Sequence, residues 1–226
     1  MKLTHIPTST FKFIKDLQKN NNRDWFNEHK PRYQKEIELF KNFAKTLNDE
    51  MSKIDHIERC RTHRIYRDTR FSKDKTPYKN HLSGGLTRAT AKLRGGYYFH
   101  IEPGNSFAAG GFWAPSSPDL KRIREEIAID DKPLRKIIKS ASFKKMFGTL
   151  EGTTLKTAPR GFAKNHPAVD LLRYKQFIVY RKFTDKEIAD PKFVKEIVKT
   201  YKAMHPFFNY MSEVLTTDSN GVSIVD

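Results

Sequence analysis

The chain has 226 residues, 37% of them hydrophobic and 12% aromatic, and its 43 Lys and Arg against 26 Asp and Glu give a net charge of +17. This apolar content is enough to bury a core, which excludes a disordered basic tail, and the single cysteine, Cys60, excludes a disulfide framework and cysteine-based zinc or iron–sulfur sites. The N-terminus lacks the apolar region of a signal peptide and no apolar run approaches the ~18 residues of a membrane span, so we expect a soluble cytoplasmic protein that does not contact membranes.

The first fifty residues carry helical patterns. Ser9 or Thr10 can cap a first helix, which ends at the Asn triplet 20–22. A second helical stretch follows this turn. After Pro31, apolar residues recur at steps of three and four positions to about Ile54, which predicts a long amphipathic helix.

The middle of the chain changes to the alternation that is typical of strands. A turn is expected at residues 72–77, and Pro103-Gly104-Asn105 is a hairpin signal. The pattern therefore predicts an antiparallel meander with strands at Ile65–Phe71, Leu82–Thr87, Gly96–Pro103 and Ser106–Trp113.

Helical patterns return after Pro115, and one further strand lies among them. We expect helices at residues 120–127, 134–140, 166–172, 191–204 and 207–215, a loop at 148–165, a strand at 176–183 and a frayed tail at 216–226. The element order predicts the α+β class, with an antiparallel or mixed sheet (a central meander plus one later strand) covered by N- and C-terminal helices. We expect one domain over residues 1–226, with its core at about 10–212.

The charge is concentrated in residues 59–81, where five Arg and three Lys against two Asp give +6. Guanidinium groups suit phosphate and carboxylate partners, and a turn adds free backbone N–H donors. An alternative is that Arg67 and Asp68 form internal ion pairs with Glu36 or Glu102. The anion-binding interpretation predicts the ligand contacts Arg64, Arg67, Arg70, Lys73, Lys75 and Lys79.

His100 and Glu102 lie two positions apart on a predicted strand, so their side chains share one face at about 7 Å. With His63 or Asp68 on a neighbouring strand they would make an acid–base or metal site, which makes Asp68, His100 and Glu102 the catalytic candidates. The alternative is a polar pair on a solvated or ion-paired sheet face. A metal needs three or four converging ligands, which the sequence does not provide, so no metal site is predicted. Cys60 lies between two arginines, which would lower its pKa.

Four blocks of unusual sequence extend along the chain: residues 21–26 with His29, Lys30 and Tyr33; Arg67–Lys79 (RDTRFSKDKTPYK); Gly96–Tyr98 with Pro103-Gly104, Gly110-Gly111 and Trp113–Pro115; and Ala158–Phe162 with His166-Pro167 and Leu172-Arg173. Together they resemble a widespread bacterial and fungal family that is catalogued only as a domain of unknown function. The resemblance runs from about Phe11 to about Asn209. It implies a single-domain protein with no established activity, cofactor or catalytic residues.

The sequence therefore favours a binding protein whose basic strand and turn hold a phosphate-bearing ligand, nucleic acid included. One alternative is a phosphate-handling hydrolase, in which Arg67, Arg70 and Lys75 stabilise charge and the three catalytic candidates transfer protons or hold a metal. The other is a structural or interaction protein whose arginines are paired internally. The sequence leaves open whether the protein is an enzyme, and it indicates no particular cofactor or protein partner.

Overall fold

A computed structural model describes residues 2–218 and 220–225 of the chain. These residues form ten helices and five strands. The helices are α1 (Thr8–Lys19), α2 (Arg23–Glu28), α3 (Lys30–Met51), α4 (Ser117–Ile129), α5 (Lys132–Lys139), α6 (Ala141–Phe147), α7 (Val169–Leu172), α8 (Asp185–Ala189), α9 (Phe193–Lys202) and α10 (His205–Thr216). The strands are β1 (Ile57–Thr62), β2 (Leu82–Arg88), β3 (Gly96–Ile101), β4 (Ser106–Phe112) and β5 (Phe177–Phe183). None of the described helices combines the length and apolar character that a bilayer crossing requires.

The five strands form one antiparallel sheet in the order β1-β2-β3-β4-β5, so each strand pairs with its neighbours in sequence. This arrangement confirms the α+β class and the meander with one later strand. The β3–β4 hairpin turns at Gly104, whose φ of +76° lies in the left-handed region that favours glycine. The Ser106 hydroxyl closes the turn by donating to the Glu102 carbonyl at 2.7 Å.

The residues divide into two compact units, and strands β2 to β5 contribute to both. The first unit contains the chain up to Leu86, Tyr98–Ala108 and Lys182–Lys199. The second contains Thr87–Tyr97, Ala109–Arg181 and the chain from Thr200 onward. The single domain expected over the whole chain stays a prediction.

In the first unit, aromatic side chains of α3 pack on β3. The rings of Phe40 and Phe43 lie 5.5 and 6.1 Å from that of Phe99, and Phe43 also stacks on Phe193 of α9 at 5.3 Å. All four side chains are buried. Because side chains alternate along a strand, Phe99 on the helix-covered face directs its neighbours Tyr98 and His100 to the opposite face.

In the second unit, the Tyr97 ring lies 4.7 Å from that of Tyr201 and 5.1 Å from that of Phe208. Close packing there requires a glycine in β4, because a Cβ at Gly110 would lie 2.4 Å from the sulfur of Met204. Helices that follow β5 in the chain therefore cover this part of β3 and β4.

The strand predicted at residues 65–71 is wrong, because β1 lies earlier, at Ile57–Thr62. The apparent alternation there has two separate causes. Ile65 is buried in the core, whereas Tyr66 forms an isolated bridge with Tyr78 and lies 46% exposed. Residues 67–71 then make no sheet pairing, so the charged positions among them belong to a loop.

Three further details differ from expectation. Pro7 precedes α1 and no side chain caps that helix, because the hydroxyls of Ser9 and Thr10 donate to the carboxylate of Glu36 instead. Helices α6 and α8 were not expected from the sequence. The frayed tail stays a prediction; Ser219 and Asp226 lie outside the described residues, and Thr217 and Ser223 form an isolated bridge.

Candidate functional site

The segment that connects β1 to β2, residues 63–81, is here called the basic loop because it carries all six cations predicted to bind a ligand. The loop leaves the sheet after His63, whose backbone N–H donates to a carbonyl of β2 at 2.8 Å. Tyr66 and Tyr78 bridge its two sides, and both rings pack on Phe26 of α2, at 5.9 and 3.9 Å between centroids. Backbone pairing and aromatic contacts therefore fix the base of the loop.

Arg67 holds the basic loop together from within. Its guanidinium donates to the carboxylate of Asp74 and the hydroxyl of Thr76, and it lies 3.4 Å from the hydroxyl of Ser72. Hydrogen bonds from the Thr76 backbone and from Arg67 lower the pKa of Asp74 to about 2, so this ion pair persists at neutral pH. The contacts of Arg67 therefore stabilise the conformation of the loop.

A second ion pair joins Arg70 to Asp68. Two guanidinium nitrogens donate to the carboxylate at 3.0 and 2.7 Å, and these bonds lower the pKa of Asp68. Lys75 donates to the carbonyl of Thr69 at 2.9 Å. Three of the six predicted ligand contacts thus have partners inside the loop, whereas Arg64, Lys73 and Lys79 have no side-chain hydrogen bond or ion pair to another described residue.

The acidic partners proposed for an internally paired Arg67 are engaged elsewhere. Glu36 is buried in α3 and accepts the hydroxyls of Ser9 and Thr10 at 3.1 and 2.7 Å. Glu102 pairs with a histidine of β3. Arg67 is paired internally, as the alternative interpretation expects, but its partner is neither Glu36 nor Glu102. The carboxylate of Asp74, seven residues further along the chain, supplies the contact.

A cleft of about 820 Å³ opens between α3, the end of β1 and the basic loop. Lys41 and Glu38 of α3 form an ion pair at 2.6 Å inside it, so their charges cancel. The remaining charged side chains of the lining are all cationic. The cleft is lined by Tyr33, Gln34, Ile37, Glu38, Lys41, Arg61, Thr62, His63, Arg64 and Lys79.

Arg61, Arg64 and Lys79 are the cations of this cleft whose side chains make no hydrogen bond or ion pair among the described residues, although the charge of Arg64 acts on Asp68 from a distance. Burial and the neighbouring positive charges both act on the ionisable groups of the cleft. Burial and the charge of Arg64 lower the pKa of Lys79. Burial together with the charges of Lys79 and Arg61 lowers the pKa of His63, which favours a neutral imidazole at pH 7.

A second group of polar side chains lies on the face of β3 opposite to Phe99. Nε2 of His100 lies 3.1 Å from Oε2 of Glu102, and Nδ1 of His100 lies 3.3 Å from the hydroxyl of Tyr98. The ring of Phe107 from β4 stacks on that of His100 at 4.7 Å. Only about a tenth of the side-chain surface of His100 and Glu102 is exposed, 10% and 14%. The sequence pair is thus an enclosed hydrogen-bonded pair.

His81, at the end of the basic loop, joins this group through its ring, which lies 4.0 Å from the ring of His100. Burial and the charges of His100, Lys79 and His63 lower its pKa to about 3. Asp68 makes no hydrogen bond to either His100 or Glu102 among the described contacts, since it pairs with Arg70. The structure therefore brings together two of the three catalytic candidates.

No group of three or more His, Cys, Asp or Glu side chains that could hold a metal ion is found in the described part of the chain. The expectation for Cys60 is wrong. Strand alternation turns this residue away from Arg59 and Arg61, and its thiol lies 3.6 Å from the carbonyl of Ala44 in α3. Burial there raises the pKa of the thiol.

These features define an α+β protein in which a cationic cleft lies beside a histidine-rich sheet face. The chain belongs to the family described as conserved hypothetical protein (DUF2461), whose model matches residues 9–210. This match confirms the resemblance that the four sequence blocks indicate. No curated protein and no solved structure matches the chain.

Proposed function

We propose that the protein binds a phosphate-bearing ligand in the cationic cleft, with Arg61, Arg64 and Lys79 as the charged contacts. The observation that supports this function best is the convergence of three unpaired cations on one cavity. A phosphate would relieve their repulsion and accept the hydrogen bonds that their side chains now lack.

The dimensions of the cleft favour a small ligand over a long polymer. A volume of about 820 Å³ lies within the range of roughly 300–1,000 Å³ that small-molecule pockets occupy. Tyr33 at the wall provides an aromatic surface beside the cations, which suits a ligand with both a phosphate and a ring. A mononucleotide-sized phosphate ester fits these properties.

Within this proposal the predicted ligand residues divide by position. Arg64 and Lys79 line the cleft, whereas Arg67, Arg70 and Lys75 shape the loop through their internal partners. Lys73 remains a peripheral candidate. The cytoplasmic location also stays a prediction.

Single-stranded nucleic acid is the second candidate, and one observation favours it. Phe71 is 96% exposed at the outer part of the basic loop, and the guanidinium of Arg70 lies 5.9 Å from its ring. An exposed aromatic ring beside cations is the arrangement on which bases stack in proteins that bind single strands.

Titration calorimetry with pyrophosphate, a mononucleotide and a short RNA tests the proposal. The small ligands should bind more weakly at about 200 mM than at about 50 mM salt, as phosphate contacts do. Arg64→Ala should weaken binding about tenfold, the worth of one charge-assisted hydrogen bond, whereas the matched variant Arg70→Ala should change it little. If Arg70→Ala and Phe71→Ala impair RNA binding while Arg64→Ala does not, the second candidate replaces the first. Absence of binding by all three probes at low salt would refute both.

A further inference from the structure

A continuous series of hydrogen bonds crosses the sheet face from the cleft to an enclosed carboxylate. It begins at His63, whose Nδ1 lies 3.2 Å from the hydroxyl of Ser83 in β2. Ser83 is buried and is hydrogen-bonded to the hydroxyl of Tyr98. Tyr98 then contacts Nδ1 of His100 at 3.3 Å, and Nε2 of His100 contacts Glu102 at 3.1 Å. These five residues are called the relay below.

One assignment of protons satisfies the contacts of the relay when Glu102 is a carboxylate and His100 is neutral, the form that the burial of His100 favours. Glu102 as a carboxylate only accepts, so Nε2 of His100 carries a proton and its Nδ1 accepts from Tyr98. The Tyr98 hydroxyl then accepts from Ser83; burial raises the pKa of Tyr98, and the hydrogen bond from Ser83 opposes that rise. Ser83 in turn accepts from Nδ1–H of His63. This assignment leaves Nε2 of His63 with a free lone pair.

The surroundings of His63 favour its neutral form. Its pKa is lowered first by burial and then by Lys79 and Arg61, while its ring lies 5.9 Å from that of Tyr98. The other ionisable groups of the cleft are Tyr33, Glu38, Lys41 and Arg64, and Glu38 is neutralised by Lys41. A neutral imidazole with an unprotonated nitrogen at an anion-binding cleft is the form that a general base requires.

We propose that His63 is the general base of a phosphoester hydrolase and that the relay positions and stabilises it. The inference rests on the proposed phosphate-binding function and adds a reaction to it. Nε2 of His63 removes a proton from a water molecule whose oxygen attacks the phosphorus. The bond between phosphorus and the ester oxygen breaks, and its electron pair stays with the leaving oxygen.

The protons balance within this scheme. The leaving oxygen lies opposite to the attacking water and takes a proton from solvent, while the His63 imidazolium returns its proton to solvent, so a monoester and water yield phosphate and alcohol, and a diester yields a monoester and alcohol. While His63 is charged, its Nδ1 proton is shared through Ser83, Tyr98 and His100 towards Glu102, whose negative charge favours the imidazolium. The three cations of the cleft stabilise the charge that develops on the phosphate oxygens.

The role of His63 is tested with p-nitrophenyl phosphate and bis(p-nitrophenyl) phosphate, one arm for monoesters and one for diesters. The p-nitrophenolate group leaves without needing a proton, so the rate of hydrolysis depends on the removal of a proton from water by His63. His63→Gln should lower kcat/KM by about 10²–10⁴-fold, the usual contribution of a general base. Pyrophosphate binding by the same preparations is measured by calorimetry and should persist in this variant.

The relay is tested by Tyr98→Phe and Glu102→Gln, which keep the size of each side chain. Each should lower kcat/KM about tenfold and move the acid limb of the pH–rate profile to lower pH, because the imidazolium of His63 loses stabilisation. A residue with only a structural role would lower the rate without moving that limb. Long-range ¹⁵N NMR of the wild type should show Nδ1–H on His63 and Nε2–H on His100.

The outcomes separate the two proposals. If the wild type binds pyrophosphate but hydrolyses neither ester faster than His63→Gln, the hydrolase inference is wrong and phosphate binding stands. If it does not bind pyrophosphate, the proposed function itself fails. A His63 that carries its proton on Nε2, or a pH profile that Tyr98→Phe leaves in place, refutes the relay.

Discussion

Gly84→Ala tests how the strand packing in the first unit supports the cleft. A Cβ at Gly84 would lie 2.4 Å from Cζ of Phe99 and 2.8 Å from the carbonyl oxygen of Arg61. Both distances are far shorter than an ordinary contact. The ring of Phe99 is fixed by Phe40 and Phe43, so it cannot move freely.

The substitution therefore forces β1 away from β2, and the expected loss of unfolding free energy is about 2 kcal/mol, the typical cost of overpacking. Because the displaced carbonyl belongs to Arg61, pyrophosphate affinity should also decrease. Urea denaturation and calorimetry measure the two effects. Gly104→Ala is the control. A Cβ placed at Gly104 meets no atom of the described residues within 4 Å beyond its two chain neighbours, and the φ of +76° predicts a cost of about 1 kcal/mol with unchanged binding. A Gly84→Ala protein as stable as the wild type would refute this account of the packing.

Three further predictions follow from individual contacts. The folded-state pKa of His81, about 3, lies below its ordinary value of 6.5, so the unfolded chain binds the proton first as the pH falls. The free energy of unfolding should therefore decrease as the pH falls below about 6.5. Urea titrations at several pH values should show this decrease, and His81→Gln should reduce it. Arg67→Ala removes the contact to Asp74 inside the basic loop. Proteolysis of the loop should become faster, while the thermal unfolding of the rest of the protein stays nearly unchanged. An unchanged rate of cleavage would contradict the role of Arg67 in stabilising the loop. Phe43→Ala removes a buried ring that stacks on Phe193 and should lower the free energy of unfolding by about 3–5 kcal/mol in urea denaturation; a loss below about 1 kcal/mol would contradict that packing.

The sequence predicts most of the secondary structure because apolar residues recur at the period of each element. The long helix after Pro31 and the strand around Phe99 are examples, since their buried apolar residues follow the helical and the strand period. The pattern fails at residues 65–71. There Ile65 is buried without belonging to a strand, and charged residues beyond it pair with each other inside a loop.

The candidate site is only partly predictable for a related reason. Strand alternation correctly puts His100 and Glu102 on one face, since residues two apart always share it. The cleft depends on contacts between distant segments. Arg61 becomes significant only when its strand lies beside α3, and no local pattern distinguishes it from Arg59. The density of charge along the sequence indicates residues 59–81 as the basic region, but it does not show which of its guanidinium groups form ion pairs.

Lys79→Ala compared with Lys73→Ala tests the phosphate-binding cleft most directly. Both variants remove one positive charge from the basic loop, so they lower the net charge of the protein equally. Of the two, Lys79 lines the cleft, where burial and the charge of Arg64 lower its pKa. In calorimetry with pyrophosphate, Lys79→Ala should weaken binding about tenfold and Lys73→Ala less than about twofold. Equal losses in the two variants would mean that binding follows the overall charge, which would contradict a phosphate site in the cleft.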